Sequence, residues 1–246
     1  MSEMIICPSG LAGTIRGLKG KEGTLLADRA AAKTGATFEK ILAACWLTTE
    51  DPGPYQVEDG KPLDWPKVLV ADRFYTLLQI RALTFGDTYA FSVQCPAASC
   101  RERFEWELKL SELPVRALSK EALEAFTAGN RLETKLPHDG RKVWFRLLTG
   151  ADEQKAARSL KAATGGVLQT ALLARIVEIE GVAENEKRKF LDEMELADQV
   201  ALLDRFDVAD GGVETRIEVE CPACLSIQEI DLPFERGFFL PRAKAA

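Results

Sequence analysis

Four cysteines have the chemistry and spacing to hold a metal ion. Cys95-Pro-Ala-Ala-Ser-Cys100 and Cys221-Pro-Ala-Cys224 each set two thiols around a proline-led turn. Both turns lie between segments of alternating hydrophobicity, so each reads as the tip of a β-hairpin. Two such tips facing each other supply four sulfurs in a tetrahedron, the arrangement that structural zinc prefers. With cysteine at all four positions the sphere is closed, and no position is left for a substrate. Cys95 and Cys221 are 126 positions apart, against roughly 15–20 in a compact zinc ribbon, so the fold must bring the halves together.

Two other readings stay open. The thiols can be plain reduced cysteines at hairpin tips, or Cys221 and Cys224 can be a redox pair. A redox pair needs a helix starting at its first cysteine to lower the thiol pKa, and a strand pattern follows here instead. Cys45, between Ala44 and Trp46 in a helical pattern, reads as a small core residue, and Cys7 lies in another context.

Other chemistry is poorly provided for. His138 is the only histidine, which excludes an H-E-x-x-H site and a three-histidine zinc site. It sits in Pro-His-Asp-Gly, which reads as a solvated turn. The glycines at 10, 13, 17, 20 and 23 fail as a phosphate loop, because Gly20-Lys21 is followed by Glu22 and position 15 is isoleucine. The dinucleotide-binding spacing fails too, and no strand is expected before the glycines. There is no G-x-S-x-G elbow. The carboxylates between Glu184 and Asp198 alternate with lysine and arginine and read as a solvated helix face. Asp72-Arg73, inside a helical pattern, reads as a buried ion pair or an interface pair.

The 246 residues carry 32 basic and 38 acidic side chains, net −6, which gives no bulk attraction to nucleic acid or to anionic membranes. The length fits one large domain or two small ones. The first eight residues hold too short an apolar run for a signal segment, and no stretch approaches a membrane span. The expectation is a cytosolic chain with reduced thiols.

The elements that must place the cysteines follow from hydrophobic period. Residues 1–23 read as a partly extended, flexible or docking arm. Leu25–Ala32 and Thr37–Leu47 read as helices. A long buried helix is expected from Asp64, with Pro66 in its first turn, to about Leu83. From Thr88 the period becomes two: Tyr89, Phe91, Val93 and Cys95 share a face, and Phe104, Trp106 and Leu108 continue it beyond the turn. Ser119–Ala128 reads as a helix, Arg131–Leu136 and Lys142–Leu148 as a hairpin, and Thr149 with Asp152 as a capped helix start. Val167–Ile179 and Glu184–Arg205 read as helices. The second cysteine hairpin follows, with a bulge expected at Gln228-Glu229.

This gives an α+β fold: helical regions plus β-hairpins, two of which pair into a split four-cysteine zinc-ribbon-like site. We divide it into 1–63, an N-terminal arm with short helices; 64–112, the buried helix and first cysteine hairpin; 113–212, a mainly helical region with one strand pair; and 213–246, the second cysteine hairpin and tail. The four form one interdependent unit.

With these features placed, their order resembles the baseplate proteins of contractile-tailed bacteriophages of the T-even type, the group of hub components and hub assembly factors. The resemblance rests on Pro8-Ser-Gly-Leu11 with Ile15-Arg-Gly-Leu-Lys19, and on Asp72–Arg81 running into Thr84-Phe-Gly-Asp87. It continues through Cys95–Cys100, Leu136–Leu148, Cys221-Pro-Ala-Cys224 and Phe238-Phe-Leu-Pro241. Each motif is weak alone; their shared order spans most of the chain.

The resemblance implies a structural or assembly protein and not an enzyme. It implies other tail baseplate and hub proteins as partners, several copies per particle, and no nucleic acid or membrane. It places the chain in the host cytoplasm during assembly and then in the virion tail baseplate. Structural Zn2+ on Cys95, Cys100, Cys221 and Cys224 would suit a chain without one dominant core, since metal binding energy becomes folding energy. Phe238-Phe239 reads as a docking element or as a cap on the protein's own core. The rival is a zinc-ribbon nucleic-acid-binding protein, which needs a basic face. Arg101 and Arg103 stand there against Glu102, Glu105, Glu107, Glu218 and Glu220. A metal-dependent or redox enzyme would need an open coordination position or a low-pKa cysteine, and neither is visible.

Overall fold

The N-terminal residues form strands, not a loose arm, with Ile5 and Ile15 buried beneath them. β1 (Ser2–Ile6) and β2 (Ala12–Arg16) pair antiparallel, and β3 (Trp46–Asp51) joins β2. The turn between β1 and β2 closes when the Cys7 N–H donates to the Leu11 carbonyl, with Gly10 at φ +93°. A Cβ at Gly13 would lie 2.0 Å from the Trp46 ring, so this glycine lets an indole rest on the strand. Close packing, not flexibility, explains the glycine, and a strand does precede the glycine run. The computed structural model describes residues 2–27, 36–58, 60–159, 167–234 and 236–239.

α1 (Gly20–Ala27) and α2 (Ala36–Cys45) follow. Part of the helix expected at Leu25–Ala32 lies outside the described residues. The next helix stops at Cys45 because β2 captures the backbone from Trp46 onward. The long helix also starts later than expected. Trp65–Lys67 is a separate 3-10 turn in which Asp64 makes no side-chain cap, and Leu69 is extended. α3 (Val70–Phe85) then begins with the Val70 N–H donating to the Leu148 carbonyl. It ends at Gly86, whose φ of +88° suits glycine.

β4 (Thr88–Gln94) and β5 (Arg103–Lys109) form the first cysteine hairpin in unbroken register, with Tyr89, Phe91 and Val93 buried. β6 (Val115–Arg116) leads to α4 (Lys120–Thr127), where the Ser119 hydroxyl caps the Ala122 N–H. β7 (Leu132–Lys135) and β8 (Lys142–Phe145) pair as expected. At the start of α5 (Gly150–Ser159) the Thr149 N–H and hydroxyl both bond Asp152. α6 (Val167–Arg175) ends early, because β8 recruits the following residues as β9 (Ile176–Ile179).

The helix expected over Glu184–Arg205 is split into α7 (Lys187–Glu193) and α8 (Leu196–Asp210). β10 (Gly212–Val213) pairs with β6. The second cysteine hairpin is β11 (Arg216–Glu220) with β12 (Ile227–Asp231). Its register is continuous from Arg216↔Asp231 to Glu220↔Ile227, so the expected bulge does not form. Ile227 faces outward, and Gln228 and Ile230 take the inner positions without breaking the alternation.

Among the described residues the α+β chain buries two apolar clusters. The larger gathers Leu11, Ile15, Ile41, Leu69, Ile80, Phe145 and Leu172. The smaller joins the two cysteine hairpins through Tyr89, Phe91, Val93, Val219 and Leu232, with Leu78 of α3 and Phe238. Phe238 is fully buried, edge-on to Tyr89 with ring centroids 4.9 Å apart, so it covers the protein's own core. Among the described residues no helix is long and apolar enough to cross a membrane.

Candidate metal centre

The two cysteine turns share a local design. In the first, the Cys95 N–H donates to the Glu102 carbonyl, and the Cys100 and Arg101 N–H groups both donate to the Ala97 carbonyl. In the second, the Cys221 N–H donates to the Ser226 carbonyl and the Leu225 N–H to the Cys221 carbonyl. The residue after the second cysteine is left-handed in both, Arg101 at φ +52° and Leu225 at φ +59°. The longer first turn therefore reverses the chain in the same way as the shorter second one.

Packing of the two hairpins in the smaller core sets the turns face to face. All four Sγ atoms lie within 4.8 Å of one another. The short separations run between hairpins: Cys95 to Cys224 is 3.6 Å and Cys100 to Cys221 is 3.8 Å. An ion about 2.3 Å from each of four tetrahedral sulfurs leaves those sulfurs about 3.8 Å apart. The cluster is close to that size, and its donor set is four soft thiols, so the residues fit a closed metal site. Cys95 and Cys221 are buried, Cys100 is half-buried and Cys224 is exposed.

Ser226 completes the surroundings. Its Oγ lies 3.1 Å from Cys224 Sγ and 3.4 Å from Cys95 Sγ, touching one sulfur from each hairpin. The hydroxyl and backbone of Ser226 pull the Cys224 thiol down to about 6. At Cys100 the Glu102 backbone acts in the same sense, but burial and the three neighbouring thiols outweigh it and push the thiol up to about 12. Ser226 escaped the sequence reading; a hydroxyl two positions beyond the second cysteine was its only signal.

Other candidates fall elsewhere. Cys7 is buried beside Thr76, with Sγ 3.5 Å from its hydroxyl, and burial pushes its thiol to about 12. Cys45 is buried as expected, and desolvation raises it to about 11. No helix starts at Cys221, so the geometry of a redox pair is absent there. Asp72 and Arg73 are both buried but do not pair with each other. Asp72 accepts from the Ser9 N–H, the Ser9 hydroxyl and the Tyr55 hydroxyl, whereas Arg73 meets Glu153 and the Trp65 carbonyl. Asp198, expected in solvent, is fully buried and accepts from the backbone N–H of His138 at 2.8 Å and of Asp139 at 3.1 Å. The His138 side chain is exposed.

Comparison with known families decides the class. The description "T4 bacteriophage base plate protein" fits residues 20–239, nearly the whole chain. The chain belongs to the T4 bacteriophage baseplate protein family. No curated protein and no solved structure matches it. For a member of this baseplate family, the place of work is the phage tail and the neighbours are other tail proteins. Glu105, Glu107, Glu218 and Glu220 are exposed on the strands that lead to the four thiols, beside exposed Arg101 and Arg103.

Proposed function

We propose that this chain is a structural component or assembly factor of the hub region of a contractile tail baseplate, stabilised by one structural zinc ion. It works through contacts with other baseplate and hub proteins and performs no catalysis. It is made in the host cytoplasm and joins the baseplate of the virion tail in several copies. Cys95, Cys100, Cys221 and Cys224 hold the metal.

One observation carries the reading: in a baseplate-family chain, four thiols from hairpins 126 positions apart converge within 4.8 Å. A four-sulfur tetrahedron selects zinc or iron, and zinc adds stability without redox chemistry. The smaller core is built from two short hairpins, one helix face and Phe238. A metal between the hairpins converts its binding energy into stability of that core.

The test uses the phage with its own copy of the gene interrupted. Wild-type chain supplied in trans should restore complete tails, and Cys221→Ser should fail to do so at elevated temperature. Complete tails without the chain would refute the baseplate role. Full rescue by Cys221→Ser at every temperature would refute the structural metal.

A further inference from the structure

The hairpin β11–β12 carries features that a free chain does not need. Leu225, directly after Cys224, takes the left-handed turn backbone that Arg101 takes after Cys100, and this turn brings it to the tip of the hairpin. Its side chain is 68% exposed, and Ile227 is 67% exposed two residues on. On the same outer face Glu218 stands directly opposite Glu229, a like-charge cross-strand pair. Glu220 stands opposite Ile227 and Arg216 opposite Asp231. The face offers one cation, Arg216, which reaches Glu229 at 3.8 Å. Among the described residues neither Glu218 nor Glu220 meets a cation. The exposed aliphatic pair and the facing carboxylates each oppose folding of the isolated chain, and both lie on one hairpin.

We infer that this outer face docks a tail protein whose surface presents an apolar socket bordered by lysine or arginine. Such a partner covers Leu225 and Ile227 and neutralises Glu218, Glu220 and Glu229. The charge of the face selects the partner: an acidic or neutral apolar surface leaves Glu218 and Glu229 opposed. The metal centre directly beneath fixes the turn that presents Leu225, so the docking element rests on a rigid base. Desolvated aliphatic anchors with a charged rim are the usual anatomy of a protein interface. The inference rests on the baseplate reading and names the surface through which it acts.

The test supplies three variants in trans to the phage with its gene interrupted: Leu225→Gly, Ile227→Ser and the double Glu218→Gln/Glu229→Gln. Tails are isolated and the chain is counted per tail against a tail-tube protein. As purified chains, Leu225→Gly and the double glutamine variant should keep their metal and melt at or above the wild-type temperature. All three should enter tails at least about tenfold less well than wild type. The double glutamine variant keeps every backbone and apolar contact and loses only the exposed Arg216–Glu229 pair, so an unchanged melting temperature separates lost docking from misfolding. Variants that enter tails as wild type does would overturn the assignment. So would a purified chain that self-associates through this face and becomes monomeric with Leu225→Gly, because the occupant would then be a second copy. Absence of the wild-type chain from tails would overturn its place in the finished baseplate and this docking assignment with it, whereas complete tails formed without the chain would overturn the baseplate role.

Discussion

Replacing Asp72 should cost more stability than any other single polar substitution in the N-terminal region. Its carboxylate lies inside α3 with no cation beside it. The Ser9 N–H donates to it at 3.0 Å, the Tyr55 hydroxyl at 2.5 Å, and the Ser9 hydroxyl adds a third bond. Tyr55 in turn accepts from the Leu69 N–H at 3.1 Å. One carboxylate thus pins the β1–β2 turn, the segment before the 3-10 turn and the start of α3. Hydrogen bonds to a charged group contribute about 1.5–3 kcal/mol each, and stranded buried donors lose about 1–3 kcal/mol each. The three share one acceptor and do not add fully. Asp72→Ala should therefore cost about 3–5 kcal/mol. At about 2–4 °C per kcal/mol for a chain of this size, the melting point falls by about 6–20 °C. Asp72→Asn should cost about half, since the amide offers one oxygen while the hydroxyls can rotate to accept. Equilibrium denaturation of Asp72→Asn, Tyr55→Phe and the double variant measures the coupling, expected above about 1 kcal/mol. A loss below about 1 kcal/mol for Asp72→Ala, or coupling near zero, would refute this account of the network.

Glu22 predicts an acid-sensitive step. The Arg16 guanidinium, first, and the Lys19 N–H hold its carboxyl down from 4.5 to about 2. The stabilisation is complete above the ordinary carboxylate range and is lost as pH falls through about 4.5 to 2. At about 1.36 kcal/mol per pH unit it amounts to at most about 3 kcal/mol; Glu22→Gln should flatten that part of a stability–pH curve, and an unchanged curve would contradict it. Phe238→Ala should remove about 3–5 kcal/mol by opening a cavity between Tyr89 and Phe234, read by denaturant midpoint. Ser226→Ala should weaken metal affinity about 10–100-fold in chelator competition, with little change in fold by circular dichroism; unchanged affinity would make the hydroxyl a bystander.

The strands of both cysteine hairpins were legible because their inner faces alternate cleanly, from Tyr89 to Val93 and from Ile217 to Val219. The convergence of the four thiols was legible from chemistry, since paired tips of this kind have one economical use. The N-terminal hairpin was not. Gly13 looks like a flexible residue in a list of glycines, and its role depends on Trp46, more than thirty positions away. The strand at Ile176–Ile179 looks helical because nothing local reports that β8 needs a third partner. Asp72 reads as half of a buried or interface pair with Arg73, and Asp198 as part of a solvated helix face; their partners are backbone and hydroxyl groups that only the tertiary fold delivers. The bulge at Gln228-Glu229 was wrong because Ile227, an apolar residue, faces outward.

The central claim is that one metal ion joins the two hairpins and holds the smaller core. Native mass spectrometry of the purified chain, with and without a strong chelator, measures it most directly. The account predicts one zinc per chain, with chelation shifting the charge distribution to that of an unfolded or partly unfolded protein. A chain that carries no metal, or that loses its zinc and keeps a compact distribution and the same melting temperature, would contradict it.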